Sequence, residues 1–296
     1  MVDLFKRLLR PVQRLFRFLL TNALRVIEDV NLQITIEREY DRLKAVLRAR
    51  DPDAIALHGR KIYSQNDEDG IIAEIFRRIG TTSRLFCEIG CSDGLENNTH
   101  ALLLQGWRGV WVDGSEKKVA FINRHLPLKS EKLFVANTFV DRDNVDTVLG
   151  DAFRSLGESA FPLAVDFLSI DIDGNDLYVL QQLSCLDARV ICVEYNAKYP
   201  PPLQVTIAYN DRHEWQDDDY QGASLQCFVE LLTARGYELV CCGLAGVNAF
   251  FVKAGEIEGI DVRPVDELYQ PARYHLRHQR SGHNASLKHL ANVVGR

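Results

Sequence analysis

The residues in this chain with the means to do chemistry are acids standing at the ends of apolar runs, with glycines just beyond them. In Leu85-Phe86-Cys87-Glu88-Ile89-Gly90-Cys91-Ser92-Asp93-Gly94 an apolar stretch delivers Glu88. Two glycines four apart then open a polar turn through Asn97, Asn98 and Thr99, ahead of a short apolar segment. This reads as a strand, a tight loop and a helix start, a design that brings backbone N–H groups and a helix dipole against a ligand. Glycine is required where the chain turns sharply or a ligand touches the backbone. The Glu-x-Gly-x-x-x-Gly spacing departs from the Gly-x-Gly-x-x-Gly of dinucleotide sites. An acid at that place favours hydroxyl or ammonium groups over phosphate, which points to an adenosyl-methionine site before a nicotinamide one.

A second apolar run, Val110-Trp111-Val112, ends in Asp113-Gly114-Ser115, 25 residues after Glu88. In doubly wound sheets an acid at the tip of the second strand takes the ribose hydroxyls of a cofactor. A third run ends at Asn137, whose amide reads either as an adenine contact or as a turn residue. A fourth, Phe161 to Ile170, is followed by Asp171, Asp173 and Asp176, three acids within six residues. Crowded acids repel one another unless a cation or hydrogen-bond donors share them. Asp171 and Asp173 alternate with apolar neighbours and are expected on one side of the strand. There they would bind a hard cation such as Mg²⁺, or one of them would act as a general base. The alternative is that Asp176 caps the next helix and Asp171 only contacts the cofactor. A fifth run, Val190-Ile191-Cys192-Val193, ends in Glu194, a third candidate metal ligand.

Between Pro200 and Gly222 lies a long polar stretch with little periodicity, the kind of loop that carries function. Histidine is the side chain suited to taking a proton near neutrality, which makes His213 the candidate base, with a solvated surface histidine as the competing reading. Upstream, Tyr63-Ser64-Gln65-Asn66-Asp67-Glu68-Asp69-Gly70 leads into an apolar-periodic helix. Ser64 and Asp67 read as a capping pair, and Gln65 stands at the helix start near the first strand's loop. The last two apolar runs, Tyr237–Cys242 and Val247–Val252, read as an antiparallel pair closing the sheet edge.

The elements that must position these groups form one large α/β domain with extensions. The chain has 296 residues, 46% hydrophobic and 26% charged, which fits one core better than two equal ones. Residues 1–55 read as a basic helical arm, 56–255 as the α/β domain and 256–296 as a C-terminal extension. The net charge of −6 hides an arm rich in Arg and Lys and an acidic middle, and an acidic core excludes nucleic acid as the main substrate. Seven cysteines without a Cys-x-x-Cys pair fit reduced thiols in the cytoplasm. His275, His278, His283 and His289 of the tail match no zinc spacing. The arm lacks the ~20 apolar residues of a membrane span. Residues 1–25 would either lie on the inner face of an anionic membrane as a peripheral contact, or pack on the main domain or a second subunit.

Five segments, Ser64-Gln65-Asn66-Asp67-Glu68-Asp69-Gly70, Glu88-Ile89-Gly90, Asp113-Gly114-Ser115, Ser169-Ile170-Asp171-Ile172-Asp173-Gly174 and Asn248-Ala249-Phe250-Phe251, occur in that order. Together they resemble the FkbM-like class I methyltransferases over residues 60–255. The resemblance implies a seven-stranded, mostly parallel Rossmann-like sheet with an antiparallel terminal hairpin. It also implies S-adenosyl-L-methionine as donor, and O-methylation of a sugar in a glycan or glycoconjugate. Under it, Glu88, Gly90, Gly94 and Asp113 are expected cofactor residues, and Asp171 and Asp173 stand where related sugar O-methyltransferases hold catalytic or metal-ligating acids. The reading of the residues themselves adds Gln65, Ser92, Asn98, Gly114, Ser115, Asn137 and Asp171 as expected cofactor residues. It makes Asp171, Asp173 and His213 the expected catalytic residues, and Asp171, Asp173 and Glu194 the expected metal ligands. The second-strand motif reads Asp-Gly-Ser where many members carry Glu-Pro. The acceptor is not specified by any motif, and the functional alternative is a non-catalytic binding or scaffold protein on the same fold. Self-association through the N-terminal helices is a further expectation.

Overall fold

The computed structural model describes residues 30–127, 130–276 and 283–295. The expected membrane-contacting stretch, residues 1–25, lies outside them, as does His278. Seven strands form one sheet: β1 (Leu85–Ile89), β2 (Arg108–Asp113), β3 (Leu133–Asn137), β4 (Leu163–Ile170), β5 (Leu186–Glu194), β6 (Tyr237–Cys242) and β7 (Asn248–Lys253). Their order is β3-β2-β1-β4-β5-β7-β6. The first five run parallel, and β7 is antiparallel to both β5 and β6. This is the Rossmann-like sheet of the class I methyltransferase fold, with the terminal hairpin that was expected. The hairpin inserts β7 between β5 and β6, so that β6 forms the edge.

The strands read as near-continuous apolar runs because helices cover both faces. Phe86, Trp111, Phe167, Val190 and Phe250 face one core, with α2 (Glu68–Ile79) and α3 (His100–Leu104) against it. Cys87, Val110, Val112, Leu168 and Ile191 face the other, with α5 (Val145–Ser155), α6 (Asp176–Gln182) and α7 (Leu225–Ala234). The helix α4 (Glu116–His125) follows β2. A helix over 30–50, α1, joins the first core through Ile36, Tyr40, Leu43 and Leu47, spaced to make one stripe on one face. Toward the C-terminus come a short helix, α8 (Val265–Leu268), and α9 (Lys288–Val294). The carbonyls of Val293 and Val294 accept from Lys132 Nζ at 2.9 Å and Ser130 Oγ at 2.7 Å. No helix among the described residues is long and apolar enough to cross a membrane. All seven cysteines are free thiols.

The end of the sheet away from the loops that carry chemistry is held by a buried ion pair. Asp166 of β4 is fully buried and accepts from Thr82 N, Thr82 Oγ1, Arg84 N and Arg189 Nη1, the last at 2.8 Å. Burial alone would raise its pKa, but Arg189 and these donors outweigh burial and hold it below the usual carboxylate range. Removing one partner of such a pair strands the other charge, which costs about 3–5 kcal/mol. Arg189→Met is therefore expected to lower the urea midpoint by an amount equivalent to about 3 kcal/mol. An unchanged midpoint would show that the pair contributes nothing.

Candidate active site

The site is assembled where the loops after β1, β2, β4 and β5 leave the same end of the sheet. Gly90 adopts φ +92°, donates to Val112 O at 2.8 Å, and leaves no room for a side chain. A Cβ there would lie 1.6 Å from the carbonyl oxygen of Asp171. Asp171 N in turn donates to Ile89 O at 3.0 Å. The loops after β1 and β4 are thereby locked edge to edge. Ser92 is left-handed at φ +53°, and its N–H reaches Asp113 Oδ2 at 2.8 Å while Ser115 N reaches Oδ1 at 2.8 Å. Each Asp113 oxygen keeps a lone pair free of the backbone.

Asp113 lines a cavity of about 1340 Å³ together with Gln65, Glu88, Gly90, Ser92, Asn98, Gly114, Ser115, Asp171, Asp173, Glu194 and His213. Twelve of the residues singled out in the sequence thus converge on one space. Two others do not line it. Gly94 lets its loop pass over Trp111, where a Cβ would sit 2.7 Å from the indole. Asn137 turns its amide back onto Asp113 O at 3.0 Å and is exposed. The next residues, Thr138, Phe139 and Val140, line the cavity in its place.

Hydrogen bonding shows what each acid is committed to. Glu88 accepts from Asn98 N at 2.8 Å, Thr99 N at 3.1 Å and Thr99 Oγ1, so it anchors the far end of its own loop. Burial nevertheless pushes its pKa up to about 7. Asp69 Oδ2 collects the N–H groups of Ile62, Tyr63 and Ser64 and the Ser64 hydroxyl, all within 2.8 Å. The capping partner of Ser64 is therefore Asp69, whose N–H also reaches Ser64 Oγ at 3.1 Å, and not Asp67. Asp67 forms no side-chain cap; it is buried beside Glu68, and burial raises its pKa to about 7. This turn presents Gln65 and Tyr63 to the cavity. The Tyr63 ring stacks on His100 at 3.7 Å. His100 Nδ1 lies 2.8 Å from Gly94 O, and burial lowers the imidazole pKa to about 4, so the neutral ring donates from Nδ1.

Asp176 heads α6 and takes Ile172 N and Gly174 N on its two oxygens, at 2.9 Å each, which coils the acidic loop. β4 ends at Ile170, so strand alternation does not bring Asp171 and Asp173 together. The turn does, with Asp173 left-handed at φ +56°. One oxygen each of Asp171, Asp173 and Glu194 lies within 4.8 Å of the others. Burial, then mutual repulsion, raises Asp171 and Glu194 well above the carboxylate range.

The polar loop after Pro200 folds over this group. Asn175 Nδ2 donates to Asn210 O at 2.6 Å and Tyr178 OH to Ile207 O at 2.7 Å. Gly174 lies directly beneath His213, since a Cβ there would be 2.3 Å from His213 Cδ2. His213 Nε2 is buried and has no hydrogen-bond partner. Trp215, Lys61, Lys118, Asn248, His283 and His289 also line the cavity and were not identified from sequence. Asn248 stood inside a quoted motif, and its register opposite Glu194 is the signal that would have found it.

No protein-family model matches the chain, and no curated protein matches it. Solved structures with a similar fold are class I methyltransferases. The glycopeptide N-methyltransferase MtfA is 14% identical, covering 65% of this chain and 92% of its own, with a TM-score of 0.37. An O-methyltransferase from Bacillus cereus in complex with SAH is 16% identical, covering 74% of this chain and 91% of its own, with a TM-score of 0.37. The N-terminal domain of EvdMO1 with SAH bound is 13% identical, covering 72% and 94%, with a TM-score of 0.40. The assignment of the fold rests on the strand order itself.

The raised pKa values of Glu88 and Asp67 carry a pH signature. Between their unfolded values and about 7, the native protein holds protons that the unfolded chain has released. Stability contributed by these two groups therefore falls as pH rises through that window. His100 acts oppositely, because its depressed pKa costs stability as pH falls from 6.5 toward 4. Glu88→Gln is expected to flatten the fall in melting temperature between pH 5 and 7 relative to wild type. Parallel melting curves for the two proteins would refute the raised Glu88 pKa.

Proposed function

We propose that this chain is an S-adenosylmethionine-dependent O-methyltransferase of FkbM-like type, acting on a sugar hydroxyl of a glycan or glycoconjugate. The observation that carries the reading is Asp113. It is a carboxylate at the tip of β2, fixed by two backbone N–H groups with a lone pair left on each oxygen, across one cavity from Asp173 and His213. The residues fit the donor. Asp113 suits the two ribose hydroxyls, and Gly90 lets the loop that carries Ser92 close against the Asp171 carbonyl. Thr138 and Phe139 supply a wall for a purine beside Gly114, where a Cβ would come within 2.9 Å of the Phe139 ring. The surrounding acids favour a ligand bearing sulfonium and ammonium charges.

When bound, the donor supplies a methyl group already activated for displacement, the S–C electron pair returning to sulfur as the acceptor oxygen forms its bond to carbon. The protein has two remaining tasks, to hold the acceptor in line and to take its hydroxyl proton. His213 Nε2, buried and without a partner, is the atom that takes it. The cavity exceeds the ~300–1,000 Å³ of ordinary small-molecule sites, which leaves space for an acceptor of more than one ring beside the donor. The half-exposed Trp215 on its wall offers a flat face to a sugar ring. Asp171, Asp173 and Glu194 are the groups that would hold a Mg²⁺ ion.

Titration calorimetry tests the reading directly. S-adenosylmethionine and S-adenosylhomocysteine are expected to bind and NAD not to, with Asp113→Ala weakening binding at least about tenfold. A folded protein that binds neither methionine derivative overturns the proposal. Once an acceptor is found by screening glycans, His213→Ala is expected to lower kcat by about 10²-fold or more, the usual worth of a general base, with S-adenosylhomocysteine affinity unchanged.

A further inference from the structure

S-adenosylmethionine has a nucleoside at one end and a zwitterion at the other. On the methyl-transfer reading, Thr138 and Phe139 beyond β3 face its purine, and Asp113 at the tip of β2 faces its ribose. β1 is next in the sheet order, so the amino-acid end falls over the loop after β1 and the turn packed beside it. That end carries an α-carboxylate, which only accepts hydrogen bonds. The cavity is rich in acids, with Glu88, Asp171, Asp173 and Glu194 all lining it. A carboxylate is held there only where the wall supplies donors and a positive charge.

One stretch of wall supplies both. Asn97 lies in the loop after β1, lines the cavity and is 5% exposed. Its Oδ1 accepts from His100 N at 3.2 Å. A backbone N–H requires an acceptor, which fixes the orientation of the amide and leaves the nitrogen at the other end. That Nδ2 is buried and has no hydrogen-bond partner, a rare state for a buried donor. Beside it in the chain, Glu96 Oε1 lies 2.5 Å from Lys61 Nζ, which also donates to Gln65 O at 3.3 Å. The Lys61 side chain is 8% exposed and that of Glu96 34%. The lysine is therefore fixed at the wall in a geometry that already receives a carboxylate, and the acid it receives is the partner with access to water.

We propose that Asn97 Nδ2 and Lys61 Nζ form a carboxylate subsite that takes the α-carboxylate of the methyl donor. Asn97 supplies a donor with no other commitment, and Lys61 supplies the charge, Glu96 turning to water as the ligand's carboxylate replaces it. The subsite rests on the methyl-transfer reading. Together with Asp113 it pins the donor on both sides of its sulfur, and so sets where the methyl group stands relative to His213.

The test titrates the full-length protein by calorimetry with S-adenosylhomocysteine and with S-adenosyl-3-thiopropylamine, which lacks only the carboxylate. The wild type is expected to bind the decarboxylated compound about tenfold or more weakly, as the loss of a charge-assisted hydrogen bond requires. Asn97→Asp keeps the acceptor for His100 N and exchanges the donor for an oxygen; Lys61→Met keeps the length of the side chain. Each is expected to weaken S-adenosylhomocysteine about tenfold or more without weakening the decarboxylated compound. Glu96→Gln, which removes the competing carboxylate, is expected to bind S-adenosylhomocysteine at least as tightly as the wild type. S-adenosylhomocysteine affinity indifferent to either of the first two substitutions, equal losses for both ligands, or a loss in Glu96→Gln as large as in Lys61→Met overturns the subsite and leaves the methyl-transfer reading standing. A folded wild type that binds neither ligand overturns that reading, and the subsite with it.

Discussion

The contact on which the site depends is the approach of Gly90 to the carbonyl of Asp171. Two backbone hydrogen bonds flank it, Gly90 N to Val112 O and Asp171 N to Ile89 O. The space between the loops holds no side chain, because a Cβ would overlap the Asp171 oxygen. The approach falls between β1 and β4, where the sheet order reverses direction. In open α/β sheets that reversal leaves a crevice beyond the carboxyl ends of the strands. Here the crevice is narrow at its base, so that acids from four different strand ends face one another. A larger residue at position 90 would part the loops and separate Asp113 from Asp171.

Hydrogen-bond accounting then separates acids that build the site from acids free to act in it. Asp69, Glu88, Asp113 and Asp176 each collect at least two backbone N–H groups. All four hold loops in conformations the backbone would not keep alone, and Asp113 does so while leaving lone pairs toward the cavity. Asp166 is matched by Arg189 at the opposite end of the sheet. Asp171, Asp173 and Glu194 differ in kind. Their oxygens face one another, and burial first and the neighbouring acids second raise the pKa of Asp171 and Glu194, whose carboxyls also hydrogen-bond to each other.

Much of this was legible in the sequence, for identifiable reasons. Strands buried on both faces write themselves as apolar runs, so β1 through β5 and the terminal pair were readable, with the acid at each tip marking where the run stops. Acid positions at strand ends follow from topology alone. What depended on turn geometry was not readable. Ser64 and Asp67 have the spacing of a capping box, yet the tight turn over 62–64 hands Ser64 to Asp69. Asp171 and Asp173 were expected together through strand alternation, and they meet through a left-handed turn instead. Asn137 has the chemistry to read a base, but β3 ends there and turns it outward. His283 and His289 come to the cavity from the tail, through long-range packing that leaves no periodic trace.

The placement of His213 ties charge balance to geometry. On the proposed reading the donor arrives with a positive sulfur and departs neutral, while the base begins neutral and ends as an imidazolium. The positive charge thus moves from the donor to His213, and the net charge of the cavity is unchanged by the transfer. Asp173 feels the charge of His213, which rests on Gly174 one residue away. The same carboxylates that attract the sulfonium therefore stabilise the imidazolium as it forms, an electrostatic contribution aimed at charge that develops during reaction. The Asn175 amide fastens the loop bearing His213 to the acidic turn through Asn210 O. Any movement of that loop which admits an acceptor must break or carry this bond, so the base and the acids that stabilise it move into register together.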